Sequence, residues 1–156
     1  MNGRRWVLRH GAAGALLATP LAALLAACSG AAPASGPVPV TLGRDSCTRC
    51  QMLLSDPRFV AEVRGGPGAT LYKFDDIGCA ATWLATQGWG AEAATRIWVA
   101  ALTSRAGAIE WLDARRAFYL PGYGSPMGYN YGASATAAAG SVDFATLQHA
   151  ALTRGY

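Results

Sequence analysis

An α+β fold is what this sequence predicts, and three observations predict it. Short stretches that alternate apolar and polar residues recur along the chain, each bounded by glycine, proline or serine. Two other segments carry apolar residues at helical spacing behind an aspartate, near 75–87 and 143–152. The order is strand, strand, helix, strand, then more strands and a helix, which differs from the strict alternation of a doubly wound sheet.

Taken in order, Arg58 to Val63 alternates and suits a half-buried strand. Gly65-Gly66-Pro67-Gly68 turns the chain and Thr70 to Phe74 returns, giving a hairpin. Asp75 or Asp76 then caps a helix to about Gln87, since a short carboxylate accepts the otherwise unpaired N–H groups of a first turn. Ile77, Ala80, Ala81 and Leu84 lie near helical spacing, and Gly88 stops the helix. Arg96 to Leu102 is a third strand, Ser104 to Gly107 turns, and Ile109–Leu112 and Ala117–Leu120 are further strand pieces. Pro121 to Gly132 is irregular, Ala133 to Ala139 fits loop or helix equally, and Asp143 caps a last helix to about Leu152. A faint echo joins the halves. Met52, a strand and an Asp-initiated helix correspond loosely to Met127, an extended stretch and the Asp143 helix, which suggests a duplicated half-domain.

The first residues read as an export signal. Arg4, Arg5 and Arg9 make a cationic start, and Gly11 to Ala27 is a small, apolar run too short and Ala-rich for a membrane span. Leu25-Ala26-Ala27-Cys28 looks like a lipobox, with Cys28 the lipidated residue, rather than an ordinary secretory signal beside an incidental cysteine. Arg4-Arg5 also resembles a twin-arginine signal, and the export route stays open between the two systems. The expected divisions are residues 1–27 as signal peptide, 28–41 as lipidated flexible tether and 42–156 as the folded domain. Ser29 to Thr41, built of Ala, Pro, Gly and Ser, offers little large apolar surface to bury. The protein is thus expected on the extracytoplasmic face of a bacterial membrane, lipid-anchored.

Removing residues 1–27 leaves 129 residues, enough for one domain or two small halves sharing a core. Three arginines leave with them, so the formal charge of +4 falls to +1. No basic stripe remains, and nucleic acid is not an expected partner. With Cys28 acylated, Cys47, Cys50 and Cys79 remain, and an odd number leaves at least one thiol free, metal-bound or paired with another chain.

Three motifs can carry chemistry. Cys47-Thr48-Arg49-Cys50-Gln51-Met52 brings two sulfurs within reach of one ion and adds a thioether two residues on. Soft Cu(I) takes two to four ligands and favours thiolate and thioether sulfur, whereas zinc recruits four and is poorly served by methionine. The same cysteine pair can be a redox couple, a structural zinc half-site or a plain disulfide, and methionine is often core filler. Ser125-Pro126-Met127-Gly128-Tyr129 holds a methionine on a loop of fixed backbone, aimed at a site or packed under aromatic rings. Phe74-Asp75-Asp76-Ile77-Gly78-Cys79 pairs two carboxylates, one expected to cap the helix and the other to bond a neighbouring loop. Cys79 falls in the first helical turn, where the helix dipole favours a thiolate. It can serve as ligand, disulfide partner or buried apolar residue. His149 is the sole histidine of the mature chain. No Ser-His-Asp arrangement or phosphate-cradling loop is evident, so a binding protein is expected rather than an enzyme.

Together these blocks resemble the NosL family of copper-binding lipoproteins. The matching pieces are the lipobox at Cys28, the Cys-x-x-Cys-x-Met at 47–52, Phe-Asp-Asp-Ile-Gly-Cys at 74–79 and Ser-Pro-Met-Gly-Tyr at 125–129. The resemblance implies two ββαβ-like halves packed as one compact unit. It implies a Cu(I) chaperone for nitrous-oxide reductase, with an ABC-type membrane complex as handover partner. It also implies a site built first from Cys50, Met52 and Met127, then from Cys47 and Cys79. One departure stands out: the family usually has glycine where this chain has Gln51, and a glycine-only backbone there would strain the loop. The main alternative is a thiol–disulfide oxidoreductase using Cys47 and Cys50. Against it, Leu53-Leu54-Ser55-Asp56-Pro57 runs into a proline where a redox helix would begin. A third reading is a structural lipoprotein with a Cys47–Cys50 disulfide.

Overall fold

Residues 35–154 are described by the structure, a computed structural model. Within them six strands and two helices make an α+β fold, as the order of sequence patterns predicts. Strands β1 (Ala61–Gly65) and β2 (Thr70–Phe74) form the expected hairpin, with Val63 opposite Tyr72 and Gly65 opposite Thr70. Its turn needs glycine: Gly66 and Gly68 have φ of 68° and 74°, a region that strains any residue with a β-carbon. Helix α1 (Ile77–Leu84) then carries the chain to β3 (Arg96–Ala100), which pairs with the free side of β1, and β4 (Trp111–Asp113) lies beyond. The sheet order is β2-β1-β3-β4, every pair antiparallel. The first half is therefore a ββαβ unit with one strand added.

The second half holds an antiparallel pair, β5 (Phe118–Pro121) and β6 (Tyr131–Ser134), and helix α2 (Phe144–Arg154). Beside β5, Val142 and Tyr119 exchange two backbone hydrogen bonds of 2.8 and 2.9 Å, a single rung where a further strand would lie. Leu102 N donates to Ala133 O at 2.9 Å, and this bridge joins the two sheets. Ala61, Val63, Val99, Ile77, Ala80 and Leu84 share one buried core with Tyr119, Leu147 and Ala151 of the second half. Each large aliphatic side chain so buried contributes about 1.5–3 kcal/mol. Gln148 Nε2 donates to Ala81 O at 3.0 Å and fixes α2 against α1.

Several boundaries differ from the sequence reading, each for a local reason. The first strand starts at Ala61 because Asp56 holds Arg58 through N–H and guanidinium bonds, making a turn of residues 56–59. Helix α1 ends at Leu84, where Thr86 N and Gln87 N bond back only three residues, to Trp83 O and Leu84 O. The stretch Pro121–Gly132 and the alanine run between them yield β6, since Leu102 and β5 supply its backbone partners. The chain also engages the fold before Leu42. Val38 N donates to Glu62 Oε2 at 2.9 Å, Lys73 Nζ to Pro39 O at 2.9 Å, and Arg64 Nη2 to Gly36 O at 3.3 Å. Residues 36–41, expected as tether, are thus strapped across β1 and β2, and Glu62, which accepts from Val38 N, is completely buried. The residues expected as signal peptide, Cys28 and the first part of the expected tether lie outside the described residues.

Candidate metal centre

The loop bearing Cys47 and Cys50 is closed at its base by a bridge between Ser46 and Leu53. Cys47 N donates to Met52 O at 2.8 Å, Gln51 N to Cys47 O at 2.9 Å, and Thr48 N to Lys73 O of β2 at 2.7 Å. Within this hydrogen-bonded loop Gln51 has φ 63°. A residue with a β-carbon there costs roughly 1–2 kcal/mol, part of it offset by the Gln51 Nε2 bond to Thr48 O at 2.8 Å. The position has the backbone of a glycine while carrying a glutamine, as the departure at Gln51 led one to expect.

The two aspartates divide their work as predicted. Asp76 caps α1, its Oδ1 accepting from Gly78 N at 2.9 Å. Asp75 holds the far end of the cysteine loop, its Oδ1 accepting from Ser55 N at 2.7 Å. Because Cys79 sits in the first turn of α1, this arrangement brings it to the loop. The Sγ atoms of Cys47, Cys50 and Cys79 all lie within 4.8 Å of one another, and none is in a disulfide. No histidine nitrogen or carboxylate oxygen among the described residues joins that group. Three sulfurs around one ion at a metal–sulfur distance of about 2.3 Å stand about 4 Å apart, so closing the triad on an ion needs less than an ångström of movement.

The three thiols differ sharply. Cys47 is pulled down to about 5, first because the Cys79 S–H donates to it. The N–H groups of Cys50 and Asp75 and the Cys50 thiol add to this, and together they outweigh its burial. Cys79 is pushed far above the ordinary thiol range, by donating to Cys47, by burial, and by the charges of Cys47, Cys50 and Asp76. Cys50 is raised by burial and by Cys47, while the Met52 N–H works the other way. Cys47 and Cys79 are completely buried, and Cys50, half-buried, is the sulfur nearest solvent. The triad is thus arranged so that the Cys79 and Cys50 thiols favour the anionic form of the Cys47 sulfur between them.

The methionines stand differently. Met52 is 53 % exposed, and its backbone rather than its side chain serves the loop. Met127 is half-buried against the core, in a turn closed by Gly128 N donating to Ser125 O at 2.9 Å. That turn is fastened to the cap of α1. Ser125 Oγ donates to Asp76 Oδ2 in a short bond. Burial raises the Asp76 carboxyl above its ordinary value, and Ser125 with the backbone of Gly78, Met127 and Tyr129 works against that rise. Nothing in the sequence flagged this role of Asp76, whose capping duty already accounted for it. His149 is exposed on α2 and takes no part in the thiol group. Comparison with protein-family models, curated proteins and solved structures returns no match to this chain. What fold and site define is a class: an α+β protein with a three-cysteine centre, two of its sulfurs buried, that could hold a metal ion.

Proposed function

We propose that this protein is a Cu(I)-binding chaperone, anchored to the outer face of a membrane through Cys28, that passes copper to an extracytoplasmic cuproenzyme. The observation that carries the reading is the triad itself, three sulfurs from a loop and a helix terminus within 4.8 Å of one another. Cu(I) is satisfied by three soft ligands, whereas a structural zinc site takes four, and no histidine or carboxylate among the described residues supplies the fourth. Met52 and Met127 are the further soft donors, one exposed at the rim and one on the adjoining loop. The NosL resemblance supports nitrous-oxide reductase as recipient and an ABC-type complex as partner in the membrane. Transfer proceeds by ligand exchange: a partner's sulfur enters beside Cys50, the least buried thiol, before Cys47 and Cys79 let go. The protein binds and hands over an ion and is not itself an enzyme.

The test is competition for Cu(I) between the reduced protein and a chromogenic chelator, with wild type and Met127→Ala. Tight binding of one ion that weakens in the variant supports the joined site. Absence of binding by the reduced wild type refutes the chaperone reading.

A further inference from the structure

We propose that Asp76 is a positioning residue of the metal centre: it binds the Met127 turn to the first turn of α1 and so fixes where Met127 stands relative to Cys79. The proposal rests on the copper-binding reading above. A helix cap needs one acceptor, and asparagine serves there as well as aspartate. Asp76 does more than cap. It is completely buried, and a buried carboxylate is costly unless its oxygens are well supplied with donors. Its donors come from both sides: Gly78 N of α1 at 2.9 Å, and Ser125 Oγ, in a short bond, from a loop 49 residues away.

The loop side of this joint is stiff. Asn130 N donates to Ser125 Oγ at 2.8 Å, Ser125 N to Asn130 Oδ1 at 3.3 Å, and Gly128 N to Ser125 O at 2.9 Å. A displacement of Ser125 is therefore carried to Met127. The helix side is equally close. A β-carbon on Gly78 would lie 2.0 Å from the Tyr129 ring, so the ring rests directly on the α1 backbone one residue before Cys79. The two motifs are one assembly, with a single carboxylate at its centre. Asparagine in that place keeps the Gly78 cap but replaces the charge-assisted bond from Ser125 by an N–H₂ facing a hydroxyl that already accepts from Asn130 N.

The experiment is Cu(I) competition on the reduced protein for wild type, Asp76→Asn, Met127→Ala and the double variant, with X-ray absorption at the copper edge to count sulfur ligands. Loss of a group that orients a metal ligand costs about 10–100-fold in affinity. The expected result is a loss of that size in Asp76→Asn and one sulfur fewer around copper in each single variant. The double variant is expected to be no weaker than the weaker single. A role in stability alone predicts a lower unfolding midpoint for Asp76→Asn with wild-type copper affinity and sulfur count, and that result overturns the proposal. If Asp76→Asn does not fold, Ser125→Ala, which removes one donor, is measured in its place and must show a smaller loss with the same non-additivity. Should Met127→Ala bind copper as wild type does, the positioning role falls while the thiol site stands. Should the reduced wild type bind none, the copper reading falls and this proposal with it.

Discussion

Replacing Gly78 by alanine sets two effects of opposite sign against each other, and the structure says which wins. Alanine favours a helix over glycine by at most about 1 kcal/mol. Its β-carbon, however, would stand 2.0 Å from Tyr129 Cγ and 2.3 and 2.4 Å from the ring's Cδ atoms, against 3.4 Å for ordinary contact. The ring must withdraw by about 1.4 Å. It has little room, being 3 % exposed. Overpacking costs about 1–3 kcal/mol, and an overlap of this size belongs in the upper part of that range, about 2–3 kcal/mol, so Gly78→Ala should destabilise by roughly 1–2 kcal/mol net. Urea unfolding checks it, with a midpoint lower by about 1 M for a small domain. The same substitution in a Tyr129→Ala background should stabilise, because only the helix preference remains. Equal or greater stability of Gly78→Ala in the wild-type background would refute the contact and, with it, the interlocking of the two motifs.

Three further outcomes follow from the geometry. Gln51→Gly should raise thermal stability by up to about 1 kcal/mol, since relief of the left-handed backbone outweighs one exposed hydrogen bond; a destabilised variant would mean that the Thr48 contact dominates. Glu62 is raised above its ordinary 4.5, chiefly by burial, and its Oε1 has no hydrogen-bond partner among the described residues. A group raised in the folded state contributes stability at low pH that is lost as pH rises through its folded value. Wild type should therefore lose ground to Glu62→Gln between pH 4 and pH 8 in urea unfolding, and a constant difference would remove burial as the cause. Copper uptake near neutral pH should release roughly two protons, from Cys50 and Cys79, because only Cys47 is already a thiolate there. Affinity should then rise steeply from pH 6 to pH 8, and a flat profile would exclude those two thiols as ligands.

Much of the fold was legible because its determinants are local. The hairpin of β1 and β2 follows from alternation around a glycine-rich turn, and both helices start beside the aspartates that cap them. What was not legible depended on partners far along the chain. The strand at Tyr131–Ser134 reads as loop until β5 and Leu102 are beside it. The strap of residues 36–41 looked like tether because its composition is poor in large side chains. Its attachment comes instead from Glu62, Arg64 and Lys73, which bond its backbone. At the site, the kinds of ligand could be named from sequence, but the rank among them could not. Cys79, placed behind Cys50, Met52 and Met127 by motif, lies inside the thiol triad, because a helix cap carries it to the loop.

The distribution of acidity and exposure also separates metal holding from disulfide exchange, the main rival reading. An exchange catalyst needs its acidic thiolate in reach of a substrate disulfide. Here the two properties sit on different atoms. Cys47 carries the low pKa, about 5, and is completely buried, while the more accessible Cys50 is raised. A third sulfur, Cys79, donates its proton to Cys47, an arrangement that stabilises a thiolate for an incoming cation and screens it from a bulky disulfide. Limited alkylation of the reduced apoprotein with iodoacetamide at pH 6, followed by peptide mapping, reads the order directly. Cys50 should label first with Cys47 and Cys79 both protected by burial, and turnover in an insulin-reduction assay should stay at background. Preferential labelling of Cys47, together with turnover, would show that the buried thiolate opens to solvent, and would return the Cys47–Cys50 pair to redox chemistry.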